Sequence, residues 1–126
     1  MNAGILDTSV LIREGRHGLA DRDGAFAISV MTIAELHMGA AMARSTRIRS
    51  LRIARLALIE QSYEALPIDR RISIKYGEIA AATRRLSSRP HVVDGLIAAT
   101  AIVHGLPLLT ADDDFDRIPG VEVVKI

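Results

Sequence analysis

The sequence predicts an α/β fold, a three-layer sandwich in which a mainly parallel central sheet is flanked by helices. Short apolar segments alternate with longer segments of helical periodicity, which is typical of parallel sheets covered on both faces. The chain has 126 residues, 49% of them apolar and 25% charged, and it contains no linker or internal repeat. That size and composition predict a single domain over residues 1–126.

The N-terminal part predicts two strands separated by a short helix and a loop. Ala3–Leu6 is a short apolar strand that ends at Asp7, and Ser9–Glu14 has the pattern of a short helix. A polar stretch with three glycines, the last of them Gly24, predicts a loop. Ala25–Ser29 is predicted as the second strand.

The middle of the chain is predicted to be mostly helical. Met31–Ala43 is a helix rich in Ala, Met and Leu, and Thr46–Gln61 is a second helix rich in arginine. Ala65–Ile68, around Pro67, is a short strand or extended piece. Arg71–Leu86 is the next helix, and the loop that follows it ends at a proline.

The C-terminal part predicts a buried helix between strands. Asp94–Val103 is the most apolar helix, and Gly105 stands just past its end, where glycine is favoured. Leu106–Thr110 is predicted as a strand, Asp113–Arg117 as one helical turn and Val121–Lys125 as the final strand.

The composition excludes several classes of site. There is no cysteine, which excludes disulfides, thiolate catalysis and thiolate-bound zinc or iron–sulfur centres. The four histidines lack the spacing of a histidine metal motif. The longest uncharged run is interrupted by Gly105 and Pro107, and the N-terminus lacks the basic region of a signal peptide. We therefore expect a cytoplasmic protein with no membrane segment.

Acidic residues stand where an α/β sheet gathers its chemistry. Asp7 directly follows the first strand, and Asp112–Asp114 follow the Leu106–Thr110 strand. Asp94 opens the most apolar helix, and Glu35 lies one turn into the helix after the second strand. Active sites of open α/β sheets lie at the carboxyl ends of the strands, so these acids are expected to share one pocket. Oxygen ligands suit Mg²⁺ or Mn²⁺, which can activate water against a phosphodiester.

Each acid also has a structural explanation. The Asp7-Thr8-Ser9 sequence is typical of a helix N-cap, Asp94 could cap its own helix, and Asp112–Asp114 could form a cap and a solvated turn.

Glu35 shares one stripe of its helix with three methionines. If that stripe faces the core, an unpaired carboxylate would be costly and would need a partner such as a cation. A helix rotated to place Glu35 in solvent remains the alternative. The methionines are Met31, Met38 and Met42.

Four motifs, in order and in register, resemble those of the PIN-domain ribonucleases, specifically the VapC-like toxins of bacterial toxin–antitoxin pairs. They are ILDTSVLI at 5–12, SVMTIAEL at 29–36, DGLIAATA at 94–101 and LLTADDDF at 108–115. The resemblance covers nearly the whole chain and implies a PIN-like sandwich. The loop before the third motif, residues 87–93, is only loosely similar, so a role for His91 is less expected than a structural one.

The resemblance implies that Asp7, Glu35 and Asp94 are catalytic metal-site carboxylates. Asp112 and Asp114 are two further candidate ligands; Asp112 is favoured as the catalytic one, and Asp113 is expected to point away. Two polar positions of the family, which help to order its site, correspond to Thr8 and Thr110.

The resemblance also implies a reaction and partners. The reaction is Mg²⁺- or Mn²⁺-dependent hydrolysis of RNA that leaves 5′-phosphate and 3′-hydroxyl ends. The expected partners are RNA, a second copy of the chain in a homodimer, and a VapB-like antitoxin, in a larger hetero-oligomer. An arginine of the antitoxin would pair with the acids of the site.

Although the net charge is only +1, arginines are concentrated in two segments of the chain. Residues 44–55 contain five arginines and no acid. Four of these arginines share one helical face with Ile48, Leu51 and Leu58; they are Arg44, Arg47, Arg52 and Arg55. We interpret this strip as an interface for the antitoxin or a second copy; the alternative is an ordinary helix that buries Leu51 and Leu58. The second segment predicts RNA contacts, with a solvated helix end as the alternative. Its candidate residues are Arg84, Arg85 and Arg89.

Other functions fit less well. A phosphatase of the haloacid-dehalogenase type needs a second acid where Ser9 stands, and a phosphoacceptor receiver domain lacks its early acidic pair and its lysine. A noncatalytic PIN-fold binding module remains the alternative from a different functional class.

Overall fold

The structure is a computed structural model that describes residues 2–12, 24–85 and 90–126. The described residues form five strands and five helices. The strands are β1 (Asn2–Leu6), β2 (Gly24–Ser29), β3 (Glu64–Leu66), β4 (Leu108–Thr110) and β5 (Val123–Lys125). The helices are α1 (Thr8–Ile12), α2 (Val30–Ala41), α3 (Thr46–Ser62), α4 (Arg70–Arg85) and α5 (Val92–His104).

The strands form one sheet in the order β3-β2-β1-β4-β5, and every pairing is parallel. The prediction of a mainly parallel sheet is confirmed. The first strand, β1, lies in the middle of the sheet. The strands β2 and β3 follow on one side of it, and β4 and β5 lie on the other side. The strand order therefore reverses beside β1, and such a reversal opens a crevice at the carboxyl ends of the strands.

Alternate residues of the two central strands supply two hydrophobic cores. Ile5 and Leu108 point to one face, where they pack with Ile72, Ile79 and Ile97. The next residue of each strand points to the other face and packs with residues of α1 and α3; these two residues are Leu6 and Leu109. Helices therefore cover both faces, and the predicted three-layer sandwich is confirmed.

Helix α5 lies deepest, as its apolar sequence predicts. Six of its residues are buried, and Gly95 lets α4 approach closely, because a Cβ there would lie 2.7 Å from Cε1 of Tyr76. The helix ends at Gly105, whose φ of 66° is the left-handed conformation that favours glycine.

Three local predictions are wrong or fall outside the described residues. The segment Asp113–Arg117 forms turns and no helix. Asp94 does not cap α5, since the helix begins two residues earlier and His91 occupies the N-cap. The last glycine of the predicted loop, Gly24, is instead the first residue of β2. The rest of that loop and the end of the first predicted helix fall within residues 13–23, outside the described part.

Helices that could cross a membrane are absent from the described residues. None in these three ranges combines the necessary length and apolar character.

Candidate active site

Asp7 lies at the junction of β1 and β4, almost completely buried at 4% exposure. Its backbone N–H donates to the carbonyl of Leu109 at 2.9 Å, which continues the pairing of the two strands. Its carboxylate Oδ2 accepts hydrogen bonds from Ser9 Oγ at 2.7 Å and from Thr110 Oγ1 at 2.9 Å. Two hydroxyl groups thus fix the orientation of this carboxylate.

The same hydroxyl groups anchor the loop that follows β4. Ser9 Oγ accepts from the backbone N–H of Ala111 at 3.0 Å, and Thr110 Oγ1 accepts from that of Asp112 at 3.1 Å. Ser9 is not among the site residues predicted from the sequence. The sequence shows only that Ser9 stands two residues after Asp7. Its contact with the loop after β4 could be predicted only once β4 was known to lie beside β1.

Glu35 projects from α2 toward the same edge. Its Oε1 accepts a hydrogen bond of 2.5 Å from Thr8 Oγ1, which also lies 3.3 Å from the hydroxyl of Thr32. Glu35 is half-buried. The helical stripe that Glu35 shares with Met31, Met38 and Met42 does not face the core along its whole length, because Met38 and Met42 are 58% and 71% exposed. Glu35 therefore lies where the stripe passes from the core into a pocket.

Asp94 lies in the first turn of α5 and is half-buried. Burial raises its pKa from 3.8 to about 6, and the negative charges of Asp7, Asp114 and Glu35 add to the rise. The charge of His91 acts in the opposite direction and lowers the pKa of Asp94. His91 also caps the helix, because its Nδ1 accepts a hydrogen bond of 3.4 Å from the backbone N–H of Val93. The four carboxylates therefore act on one another electrostatically.

The loop after β4 separates its acids into two sets. Lys125 of β5 bonds to the carboxylate of Asp113 and lies 3.2 Å from that of Asp116. This bond lowers the pKa of the Asp113 carboxyl and raises the pKa of Lys125. Asp114 belongs to the other set, because its charge acts on Asp94.

One pocket of about 930 Å³ collects the predicted acids. Thr8, Ser9, His91 and Arg117 also line it, and so does Asp113, which was expected to point away and whose carboxylate bonds to Lys125. The structure thus brings together, from four separate parts of the chain, the residues that the sequence predicted to share one edge of the sheet. These acids are Asp7, Glu35, Asp94, Asp112 and Asp114.

The donor set fits an oxygen-preferring divalent cation in chemistry and in charge. As the side chains stand, however, no group of three acidic or histidine residues in the described ranges is arranged to hold an ion. Binding a cation would require side chains of the pocket to rotate toward one another. Their role as ligands therefore stays a prediction.

The arginines predicted to contact RNA lie elsewhere. Arg84 and Arg85 end α4 and are exposed, and Arg84 lines a separate groove beside Tyr76 and Val92. Arg89 lies outside the described residues.

The exposed surface of α3 carries large apolar side chains among its arginines. Leu51 and Leu58 are 59% and 64% exposed, whereas Leu56 and Ile59 are the residues that α3 buries. The alternative in which Leu51 and Leu58 are buried is therefore wrong.

Comparison with known proteins decides the family. The family model of the PIN domain matches residues 4–121. The chain belongs to the PIN-domain family. Among curated relatives it is 34% identical to Ribonuclease VapC4 of Mycobacterium tuberculosis, over 97% of this chain and 95% of that protein. It is 35% identical to Ribonuclease VapC5 of the same organism, over 98% and 93%. Within the PIN-domain family it is thus a VapC relative, as the motifs indicated.

Solved structures support the same assignment. The PIN-domain chain superimposes with a TM-score of 0.88 and 34% identity on a member of the VapBC family of toxin–antitoxin systems, VapBC-5, from M. tuberculosis, covering all of both chains. VapBC2 from Rickettsia felis, solved bound to a promoter DNA fragment, shares the fold with a TM-score of 0.85 at 21% identity over 98% of each chain. The phosphatase and noncatalytic alternatives receive no support from these comparisons.

Proposed function

We propose that this PIN-domain protein is the toxin of a toxin–antitoxin pair and acts in the cytoplasm as an endoribonuclease that depends on Mg²⁺ or Mn²⁺. One observation carries the proposal: six acidic residues from four parts of the chain line one pocket, where burial and the charges of three of them raise the pKa of a fourth, Asp94. Carboxylates that destabilise one another's charge are stabilised by a divalent cation. Such a group has no evident structural purpose.

The hydrogen bonds of the acids, and the pKa of one of them, suggest their roles in the site. Asp7, oriented by Ser9 and Thr110, is preorganised as a ligand, and Glu35 is oriented by Thr8. Asp94 retains a proton to a higher pH than an ordinary aspartate, so it can exchange that proton for a cation. Asp112 and Asp114 are the remaining candidate ligands. When bound, the metal would acidify a water and stabilise charge on the scissile phosphate.

The relatives' structures support an antitoxin partner. VapBC-5 of M. tuberculosis is a member of a family of toxin–antitoxin systems, and the exposed leucines of α3 offer this chain a surface for such a partner. We define the α3 surface as Ile48, Leu51 and Leu58 with the arginines of residues 44–55. The stems of the arginines extend the apolar area, so we expect it to bind the antitoxin. A second copy of the chain, in a homodimer, is the other candidate.

The test of the catalytic proposal is RNA cleavage by matched variants. Wild-type protein with Mg²⁺ should cleave single-stranded RNA, and Asp7→Asn and Asp94→Asn should each lose most of the activity. Glu122→Gln removes an exposed acid outside the pocket and should cleave normally. Full metal-dependent cleavage by either pocket variant would refute the assignment.

Calorimetric titration with Mn²⁺ is the second measurement, because it does not depend on finding the right RNA. The wild type should bind the ion, and Glu35→Gln should bind it more weakly. Equal binding by the two proteins would contradict a role for Glu35 as a ligand.

A further inference from the structure

The negative charge of the acidic pocket repels the phosphates of RNA. Six acidic residues line the pocket, of which Asp113 is paired with Lys125, and each phosphate of an approaching strand carries a further negative charge. One divalent cation would neutralise only part of this charge. Productive binding therefore needs a cationic side chain at the pocket itself.

Among the described residues that line the pocket, Arg117 carries the permanent positive charge. The other basic group is His91, whose Nδ1 is committed to capping α5. Arg84 and Arg85, the two arginines favoured by the sequence that the structure describes, do not line this pocket, since they end α4 and Arg84 faces another groove.

The backbone holds Arg117 firmly at the rim. The residues on either side of the turn, Phe115 and Ile118, are buried in the core at 1% and 5% exposure. The N–H of Ile118 donates to the carbonyl of Phe115 at 3.1 Å, and that of Asp116 donates to the carbonyl of Asp113 at 3.1 Å. A guanidinium carried by a fixed turn loses less entropy when it binds a phosphate.

Lys125 removes two competitors for this guanidinium. Asp113 and Asp116, two acids of the same loop as Arg117, both pair with Lys125 from β5. Arg117 has an interaction of its own in the protein, so an incoming phosphate exchanges with that contact. The planar fork of arginine can then bind two phosphate oxygens at once.

We propose that Arg117 is the residue that binds a backbone phosphate of the RNA at the acidic pocket, beside the acids that cleave it. This inference rests on the proposed ribonuclease function, and it assigns Arg117 to binding substrate and not to holding the metal. The ligand class is a single-stranded polyanion with phosphodiester linkages.

Steady-state cleavage of single-stranded RNA is the first test. Arg117→Gln should raise KM about tenfold or more, as expected for a lost charge-assisted contact, and change kcat by less than about twofold. Arg117→Lys should recover part of the loss, and Arg70→Gln, which removes an exposed arginine outside the pocket, should have the wild-type KM. An unchanged KM in a folded Arg117→Gln protein would overturn the inference.

Equilibrium binding separates this inference from the proposed function. A fluorescent single-stranded RNA is titrated with Asp94→Asn protein, which should bind without cleaving, and with the Asp94→Asn/Arg117→Gln double variant. The dependence of log Kd on log salt should be shallower by about 0.7 in the double variant, the value for one phosphate contact on a single strand. Equal slopes would refute the contact, whether or not the wild type cleaves RNA.

Mn²⁺ calorimetry completes the design. Arg117→Gln should bind Mn²⁺ as the wild type does, because the proposal places the arginine on the substrate. Loss of Mn²⁺ binding in this variant would show that Arg117 acts through the metal site and would overturn the proposal. Failure of cleavage by the wild type itself would instead count against the proposed function.

Discussion

Replacing Asp94 with asparagine should stabilise the metal-free protein while it abolishes cleavage. In the unfolded chain the pKa of Asp94 has its ordinary value of 3.8, and in the folded protein it is about 6. The folded state therefore binds the proton more tightly. Ionisation of Asp94 costs folding free energy, and this cost is absent below about pH 4, grows between pH 4 and 6, and is complete above pH 6.

The size of the effect follows from the pKa shift. A rise from 3.8 to about 6 corresponds to about 3 kcal/mol if fully transmitted. Asp94 is only half-buried, so solvent screening reduces this to about 1.5 kcal/mol. The expected gain on substitution is therefore about 1.5 kcal/mol, or about 5 °C in Tm.

Thermal unfolding followed by circular dichroism in EDTA tests this prediction between pH 4 and 8. Asp94→Asn should melt above the wild type at pH 7.5 and together with it at pH 4. Excess Mn²⁺ should raise the Tm of the wild type and not that of the variant, because only a protein that binds the ion is stabilised by it. A variant that melts below the wild type at pH 7.5, or a difference independent of pH, would refute the electrostatic reasoning.

Three further predictions concern the surroundings of the site. Thr110→Val removes a buried donor to Asp7 and should lower the free energy of unfolding in urea by about 1–3 kcal/mol. Thr110→Ser keeps the hydroxyl and loses only a buried methyl group, so it should cost less than Thr110→Val; equal losses would contradict the hydrogen bond. Gly95→Ala places a Cβ 2.7 Å from the Tyr76 ring and should cost about 1–3 kcal/mol by the same assay, with wild-type stability as the contrary result. Leu51→Gln should leave stability within about 0.5 kcal/mol but weaken antitoxin binding in calorimetry; unchanged binding would exclude Leu51 from the interface.

The fold could be predicted because the apolar pattern and the topology agree. Each strand is a short apolar run, and a glycine marks the end of α5 at residue 105. Parallel strands joined by helices place their carboxyl ends at one edge, so the meeting of Asp7 with the loop after β4 followed from element order alone.

Contacts between side chains that are distant in the chain could not be predicted from the sequence. Lys125 pairs with Asp113 and Asp116 because β5 lies beside β4, and no pattern in the sequence indicated these pairs. Ser9 reaches the loop after β4 for the same reason.

Local ambiguity caused the remaining errors. Asp94 could be a cap or a first-turn residue, and the boundary was settled by His91, which periodicity did not single out. On α3, Leu51 and Leu58 share one face and Leu56 lies on another, so the pattern did not decide which of them face the core. The structure buries Leu56 and leaves Leu51 and Leu58 exposed.

The central claim is that the acidic pocket is a metal-dependent ribonuclease site, and mapping the ends of cleaved RNA tests it most directly. Purified protein is incubated with single-stranded RNA in Mg²⁺ or in EDTA, with Asp7→Asn protein alongside, and the product ends are sequenced. We predict 5′-phosphate and 3′-hydroxyl ends that appear only with the wild type and Mg²⁺. Products with 2′,3′-cyclic phosphate ends, or the same cleavage in EDTA or by Asp7→Asn, would contradict it.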